Sequence, residues 1–353
     1  METRIKYDVL DLFSSTNLVY VCAPMVRYSK LEFRTLVKRY GCQLCFTPMI
    51  MADSFVQSLK ARHNEFVTNT DDKPLIVQFA AKNVDDFVSA AELISPYSDG
   101  VDLNCGCPQR WAMTEGYGAE LLSNPQLIKE MVQQVRNSIS KPFTVSVKIR
   151  IKNDLKETIH LCQNLEACGV SFLTVHGRTV KERSEPVNTE AIRTIVDSVN
   201  IPVIANGDIK SLSDCFRMNE LTNCKGVMAA RGILQNPAMF AGMEKTPLCC
   251  IQDWVDLCSK SDVQFQCYHH HLVFMLEKVL SKIERNTFNF LKTFDQVNNY
   301  LTEKLSINIP TAIKTKKCQV EYSDIQDGSY FKSKISQTSE LEDCLHDTFL
   351  FHS

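Results

Sequence analysis

Eight short runs of apolar, mostly β-branched residues punctuate the first two-thirds of the chain, and they constrain its fold more than any other feature. They cover residues 19–25, 43–47, 75–79, 100–104, 143–149, 172–176, 203–206 and 226–229. Runs that are apolar throughout, rather than alternating, read as strands buried on both faces. Between most of them apolar residues recur at helical spacing, as in Val84, Phe87, Val88 and Ala91, or Ile128, Met131, Val132 and Val135. Asn83, Asn124 and Ser211 precede such stretches, where their side chains accept the free amide hydrogens of a first helical turn. Eight strands with crossover helices close most simply into a parallel (β/α)8 TIM barrel, although an open doubly wound sheet shares the same local pattern.

After Pro247 the pattern changes. Phe265, Tyr268, Leu272, Leu276, Val279 and Ile283 step by three or four, as do Phe290, Phe294, Val297 and Leu301, so a small all-helical C-terminal domain is expected. The division is 1–246 for the barrel, 247–317 for the helices and 318–353 for an acidic, loosely ordered tail. That tail holds seven acids against Lys332 and Lys334. Its −5 within a total of −2 leaves +3 for residues 1–317, which is compatible with RNA without requiring it.

Several classes are set aside. The 15 cysteines are odd in number and scattered, and Met1-Glu2-Thr3-Arg4 lacks the apolar core of a secretory signal. A reducing compartment follows, hence a cytoplasmic location with nuclear presence left open. No run of 18 uncharged apolar residues suggests a membrane span. Cys105 and Cys107 are one residue apart, unlike the paired spacing of zinc sites, and His269, His270 and His271 point about 100° apart on a helix. No metal is expected, the histidines read as surface or packing residues, and the chain is expected to be a monomer.

In a closed parallel barrel, polar groups at the carboxyl ends of the strands converge on one mouth. Here those ends carry Pro24-Met25, Thr47-Pro48, Gln78, Asn104 to Pro108, Lys148 with Arg150, His176-Gly177-Arg178, Asn206-Gly207-Asp208 and Arg231-Gly232. Gly207 and Gly232, after strands seven and eight, let backbone amides approach an anion, and Arg231 adds a forked contact. Singly they read as tight turns and a surface cation; together they favour a phosphate. Lys148, in a strand expected to be buried, either reaches the mouth or suffers desolvation. There it suits a Schiff base, or charge stabilisation on a reduced cofactor or carbonyl oxygen. His176 and Gln78 suit hydrogen bonds to a ring cofactor or anion. Cys107, with an ordinary thiol pKa of about 8.5, stays protonated at neutral pH and suits a general acid that delivers a proton to carbon.

The motifs Asn104-Cys105-Gly106-Cys107-Pro108-Gln109, Val147-Lys148-Ile149-Arg150, His176-Gly177-Arg178-Thr179 and Ile204-Ala205-Asn206-Gly207-Asp208 resemble those of the tRNA-dihydrouridine synthases. Cys107 to Met113, with Arg62-His63-Asn64-Glu65-Phe66 upstream, is similar to the eukaryotic type 4 branch. The resemblance covers roughly residues 18–310. It implies a barrel holding FMN, helices that help grip tRNA, NADPH as reductant, and product at positions 20a and 20b of the D-loop. Carried onto this sequence, it places Pro24, Met25 and Val26 along the flavin and Gln78, Lys148 and His176 on its ring or ribityl chain. Asn206, Gly207 and Asp208 with Ala230 and Arg231 hold its phosphate, Cys107 is the acid, and Asn104 and Arg178 hold the uracil edge or an RNA phosphate. Two other readings stand beside this one. One is a flavin barrel acting on a free pyrimidine, as in dihydroorotate oxidation, and the other a non-catalytic RNA-binding barrel.

Overall fold

A computed structural model describes residues 7–310. The acidic tail read at 318–353 lies outside the described residues. Nine strands form one parallel sheet: β1 (Val19–Cys22), β2 (Leu44–Phe46), β3 (Ile50–Met51), β4 (Leu75–Ala80), β5 (Gly100–Cys105), β6 (Thr144–Arg150), β7 (Phe172–His176), β8 (Val203–Asn206) and β9 (Gly226–Ala229). β1 pairs with both β2 and β9, and β2 pairs with β4, so eight strands close on themselves into a TIM barrel. Each expected apolar run holds one of these eight. β3, which the sequence did not signal, is a two-residue rim strand in which Ile50 pairs with Phe79.

Because side chains alternate along a strand, one parity of each strand faces the barrel interior. At the amino-terminal end that interior is apolar: Val19, Val21, Leu44, Phe46, Ile76, Phe172 and Ile204 share one cluster. The helix Leu10–Ser15 contributes Leu12 and Phe13 to it, the Phe13 ring lying 5.4 Å from that of Phe172. Each such side chain stabilises the fold by about 1.5–3 kcal/mol on burial. The crossover helices start where the sequence places their caps. Asn83 accepts from the Asp86 amide, Asn124 from Leu127 and Ser211 from Asp214.

One polar cluster on the outside of the barrel also fixes the site. Asp72 lies between Arg34 (2.6 Å) and Lys38 (2.9 Å), with Arg34 and Asp72 almost wholly buried. Arg34 also donates to the carbonyls of Ser29 (2.7 Å) and Val67 (2.8 Å), tying the loop after β1 to the segment before β4. Burial alone would raise the Asp72 pKa, but Arg34 and Lys38 outweigh it and hold the carboxyl well below the usual range.

Past Pro247 the chain is helical, with Leu248–Ser259, Phe265–Met275, Lys282–Asn289 and Phe294–Leu305. His269 and His271 are packing residues. His271 is buried with its ring 4.5 Å from those of Phe33 and Trp254, and burial pushes its pKa down to about 3. No helix among the described residues is long and apolar enough to cross a membrane.

Candidate active site at the carboxyl end of the barrel

The upper layers of the interior are polar, and the strand register explains why. Gln78 pairs with Asp102, Asp102 with Ser146, Asn104 with Lys148, Arg150 with His176, and His176 with Asn206. All have the inward parity of their strands, so one face of the sheet turns from hydrocarbon to hydrogen-bonding groups as the strands approach the mouth.

These groups form a connected relay. Gln78 donates through Nε2 to Asp102 (2.8 Å), and Ser146 donates to the other Asp102 oxygen (2.6 Å). The Gln78 carbonyl accepts from Asn104 Nδ2 (2.8 Å), and Asn104 Oδ1 accepts the backbone amides of Gly106 (3.1 Å) and Cys107 (2.9 Å). A buried carboxyl thus orients an amide that orients the loop carrying the thiol. Burial raises the Asp102 pKa to about 6, which leaves it mainly ionised at neutral pH and therefore an acceptor in this chain. Asn104, expected to hold substrate, holds the thiol's loop; one of its amide hydrogens remains for another acceptor.

Cys107 is half-buried and packs near Ala80, Ala112, Tyr117, Met49 and Met51. Gly118, at φ +64°, lies so close that an added Cβ would sit 2.8 Å from the Cys107 carbonyl oxygen and 2.9 Å from its Cβ. Only glycine combines that backbone with that approach. Burial raises the Cys107 pKa against the opposing pull of Lys148 and Arg150, so the thiol keeps its proton at neutral pH. Cys105 has the opposite parity and is fully buried outside the mouth.

Lys148 donates to Asn206 Oδ1 (2.9 Å), and Asn206 donates through Nδ2 to the Met228 carbonyl (2.9 Å). Burial, helped by Arg150, brings the ammonium pKa down to about 8. His176 goes further: burial, with Lys148, Arg150, Arg178 and Arg231 around it, pushes its pKa down to about 2. The imidazole is neutral at physiological pH. Its Nδ1 and Thr174 Oγ1, at successive inward positions of β7, are buried and lack a hydrogen-bond partner. Unpaired buried polar atoms are costly, so two in one row mark a place where a further molecule completes the bonding.

Arg178, expected to hold the uracil edge or an RNA phosphate, is almost wholly buried. It donates to Asp208 (2.5 Å) and to the Glu185 carbonyl (2.5 Å) and is 2% exposed. Asp208 takes a φ of +54° and Gly207 one of +121°. Gly232 has no room for a side chain: a Cβ would fall 2.2 Å from the Ile209 carbonyl oxygen, so glycine is what lets the loops after β8 and β9 touch. Ala230 and the exposed Arg231 stand beside that contact, at the start of the helix Arg231–Gln235. Arg150 ties the Cys107 loop to the loop after β7, donating to the carbonyls of Gly106 (3.0 Å) and Thr179 (2.8 Å). Pro24 and Met25 are partly buried and Val26 is 47% exposed, in the loop after β1.

Gln78, Asn104, Lys148, His176 and Asn206 therefore converge as expected, with Cys107 on the loop they organise. The sequence reading missed Asp102 and Ser146. Their signal was present: both share the inward parity of Asn104 and Lys148, a polar residue every second position in otherwise apolar strands. The residues present fit a planar, anionic cofactor. Unsatisfied Nδ1 and Oγ1 atoms and a lysine line the interior, and at the rim a loop contact that only glycine permits stands beside an arginine. Among the described residues no group of three or more His, Cys, Asp or Glu is arranged to hold a metal ion.

Residues 21–326 match the family model described as dihydrouridine synthase (Dus). That range extends beyond residue 310, where the motifs alone placed its end, and into the stretch read as a tail. A human protein named tRNA-dihydrouridine(20a/20b) synthase [NAD(P)+]-like is 54% identical over 87% of this chain and 98% of its own length. The tRNA-dihydrouridine(20a/20b) synthase [NAD(P)+] of Schizosaccharomyces pombe is 41% identical over 88% of this chain and 95% of its own.

Proposed function

The chain belongs to the dihydrouridine synthase family, and from that premise we propose that it reduces the C5–C6 bond of uridine in tRNA, using FMN and NADPH. The positions are 20a and 20b, those in the names of its relatives. The observation that carries the reading is the arrangement at the mouth. A protonated thiol sits on a loop fixed by Asn104, in the electrostatic reach of a lysine that also acts on a neutral histidine with an unpaired nitrogen.

Gln78, Lys148 and His176 hold the flavin ring and its side chain, Pro24, Met25 and Val26 lie along it, and Asn206, Gly207, Asp208, Ala230 and Arg231 receive the phosphate. When bound, the flavin supplies the hydride that adds to C6 of the uracil. Cys107 holds its proton on Sγ and delivers it to C5, and the Asp102–Gln78–Asn104 relay keeps that sulfur in place. Lys148, as an ammonium, stabilises negative charge that develops during reduction. Asn104 offers its second amide hydrogen to a uracil carbonyl. Arg178 acts through Asp208, whose position it fixes. The target base must leave the folded RNA to enter such a mouth.

Incubating the purified protein with unmodified tRNA and NADPH, then measuring dihydrouridine by mass spectrometry, tests the reading. A colourless protein that cannot be reconstituted with FMN would overturn it. Arg231→Ala is expected to weaken flavin retention by about 1.5–3 kcal/mol, the worth of a charge-assisted hydrogen bond; unchanged occupancy after dialysis would contradict the phosphate role. The Lys148 ammonium exists below its folded pKa of about 8 and is lost above it. Flavin reduction by NADPH is therefore expected to slow as pH rises through that value, a fall that Lys148→Met removes together with part of the rate. The stability effect has the opposite sense. A lysine with a lowered folded pKa destabilises the fold while charged, and that cost is relieved above pH 8.

A further inference from the structure

We propose that Arg27 is a phosphate-binding residue for the RNA substrate, held in position by the helix Phe265–Met275; the proposal rests on the reading of the site given above. Arg27 is exposed, in the loop after β1 at the carboxyl end of the barrel, and no described residue partners its guanidinium. Its backbone lies in the left-handed region at φ +71°. A long-chain residue is disfavoured there unless its surroundings enforce it, and such strain clusters at ligand-contacting positions.

The surroundings do enforce it. Within the loop, Tyr28 and Ser29 donate their amides to the Met25 carbonyl (3.0 Å each), and Met25 donates back to Ser29 Oγ (3.0 Å). Arg34 donates to the Ser29 carbonyl from below. From the helical segment, Cys267 donates its thiol to the Arg27 carbonyl (3.5 Å), and His270 hydrogen-bonds with the Tyr28 hydroxyl (3.4 Å). The Tyr28 ring lies edge-on to those of His271 and Phe274, at 5.4 Å each.

Three elements thus converge to hold one five-residue turn whose tip projects a cation beside an aromatic ring and His270 at the edge of the mouth. Lys30 adds a second exposed cation, and Glu32 is the nearby acid on the following helix. A cation with adjoining aromatic and imidazole groups is what an RNA backbone with splayed bases binds. Arg27 therefore positions the RNA while Cys107 reacts with it, and the helices after Pro247 contribute by setting that arginine as well as by any contact of their own.

The test compares wild type with Arg27→Gly and Arg27→Lys, all as full-length holoprotein. Unmodified tRNA transcript is titrated at several KCl concentrations and dihydrouridine formation is measured in parallel. Glycine takes a positive φ freely, so Arg27→Gly removes the guanidinium and keeps the turn. Its RNA affinity is expected to fall about tenfold near 0.1 M salt, and its log-affinity against log-salt slope to lose about one unit. KM should rise with kcat and the flavin spectrum unchanged, and Arg27→Lys should recover part of the affinity. An Arg27→Gly protein with wild-type affinity and salt slope overturns the proposal even when wild type makes dihydrouridine. A wild-type protein that neither binds tRNA nor modifies it overturns the functional reading as well.

Discussion

Replacing Cys107 with alanine is expected to reduce dihydrouridine formation by about 10²–10⁴-fold, the usual contribution of a positioned general acid. The flavin should stay bound and should still be reduced by NADPH, because nothing that holds the ring runs through Sγ. Asn104 accepts the Cys107 amide and not its thiol, so the loop geometry survives the substitution. What disappears is the proton source: burial keeps this thiol protonated, whereas solvent at a half-buried position delivers protons without orientation. Reduced flavin that persists in the presence of tRNA, with little product, is the signature to seek by absorbance and mass spectrometry. Product formation within a few-fold of wild type would remove Cys107 from the chemistry. Asn104→Ala should lower product yield through misplacement of the loop together with loss of its contact to the uracil, while the thiol itself remains.

The largest effect on stability is expected at Asp72→Asn, which leaves Arg34 buried without its counter-charge. Breaking a buried ion pair by removing one partner costs about 3–5 kcal/mol. Here Arg34 bonds two carbonyls besides Asp72, so the loss also loosens the Ser29 end of the β1 loop and the segment at Val67. Urea denaturation of the apoprotein measures it, and a change below about 1 kcal/mol would show the pair to be dispensable. The pH dependence follows from the direction of the Asp72 shift. Its folded pKa is depressed, so its contribution is complete above the unfolded value of about 3.9 and disappears as pH falls through the lower folded value. Wild type and Asp72→Asn should therefore differ fully at neutral pH and converge only in strong acid.

Most of the barrel was legible because each strand announces itself locally. Buried parallel strands need no polar face, so runs such as Leu75–Ala80 or Val203–Asn206 stand out, and the caps at Asn83, Asn124 and Ser211 depend only on the residues that follow them. The site was legible to the same depth. Gln78, Lys148, His176 and Asn206 are polar residues at the ends of apolar runs, and the motifs around Cys107 by themselves resemble those of one family. The two-residue β3 was invisible because so short a segment has no periodicity. The pairing of Arg178 with Asp208 was not legible, because a guanidinium beside a glycine looks the same in sequence whether it faces solvent or a carboxylate.

The sequence by itself determined the eight barrel strands, their alternation with helices and the set of side chains delivered to one end of the sheet, since alternation and chain order are properties of the local pattern; closure rested on the pairing of β1 with β9. Only the tertiary structure decided which of those side chains meet. The relay from Asp102 through Gln78 and Asn104 to the Cys107 loop joins residues on two strands by their register. The helix Phe265–Met275 reaches the turn at Arg27 across more than 200 positions of chain. The physical reason is that parity tells a residue which face it lies on, while stagger between strands and the packing of distant helices choose its neighbour. Hydrogen bonds and charge pairs depend on distances of a few ångströms that no local pattern encodes.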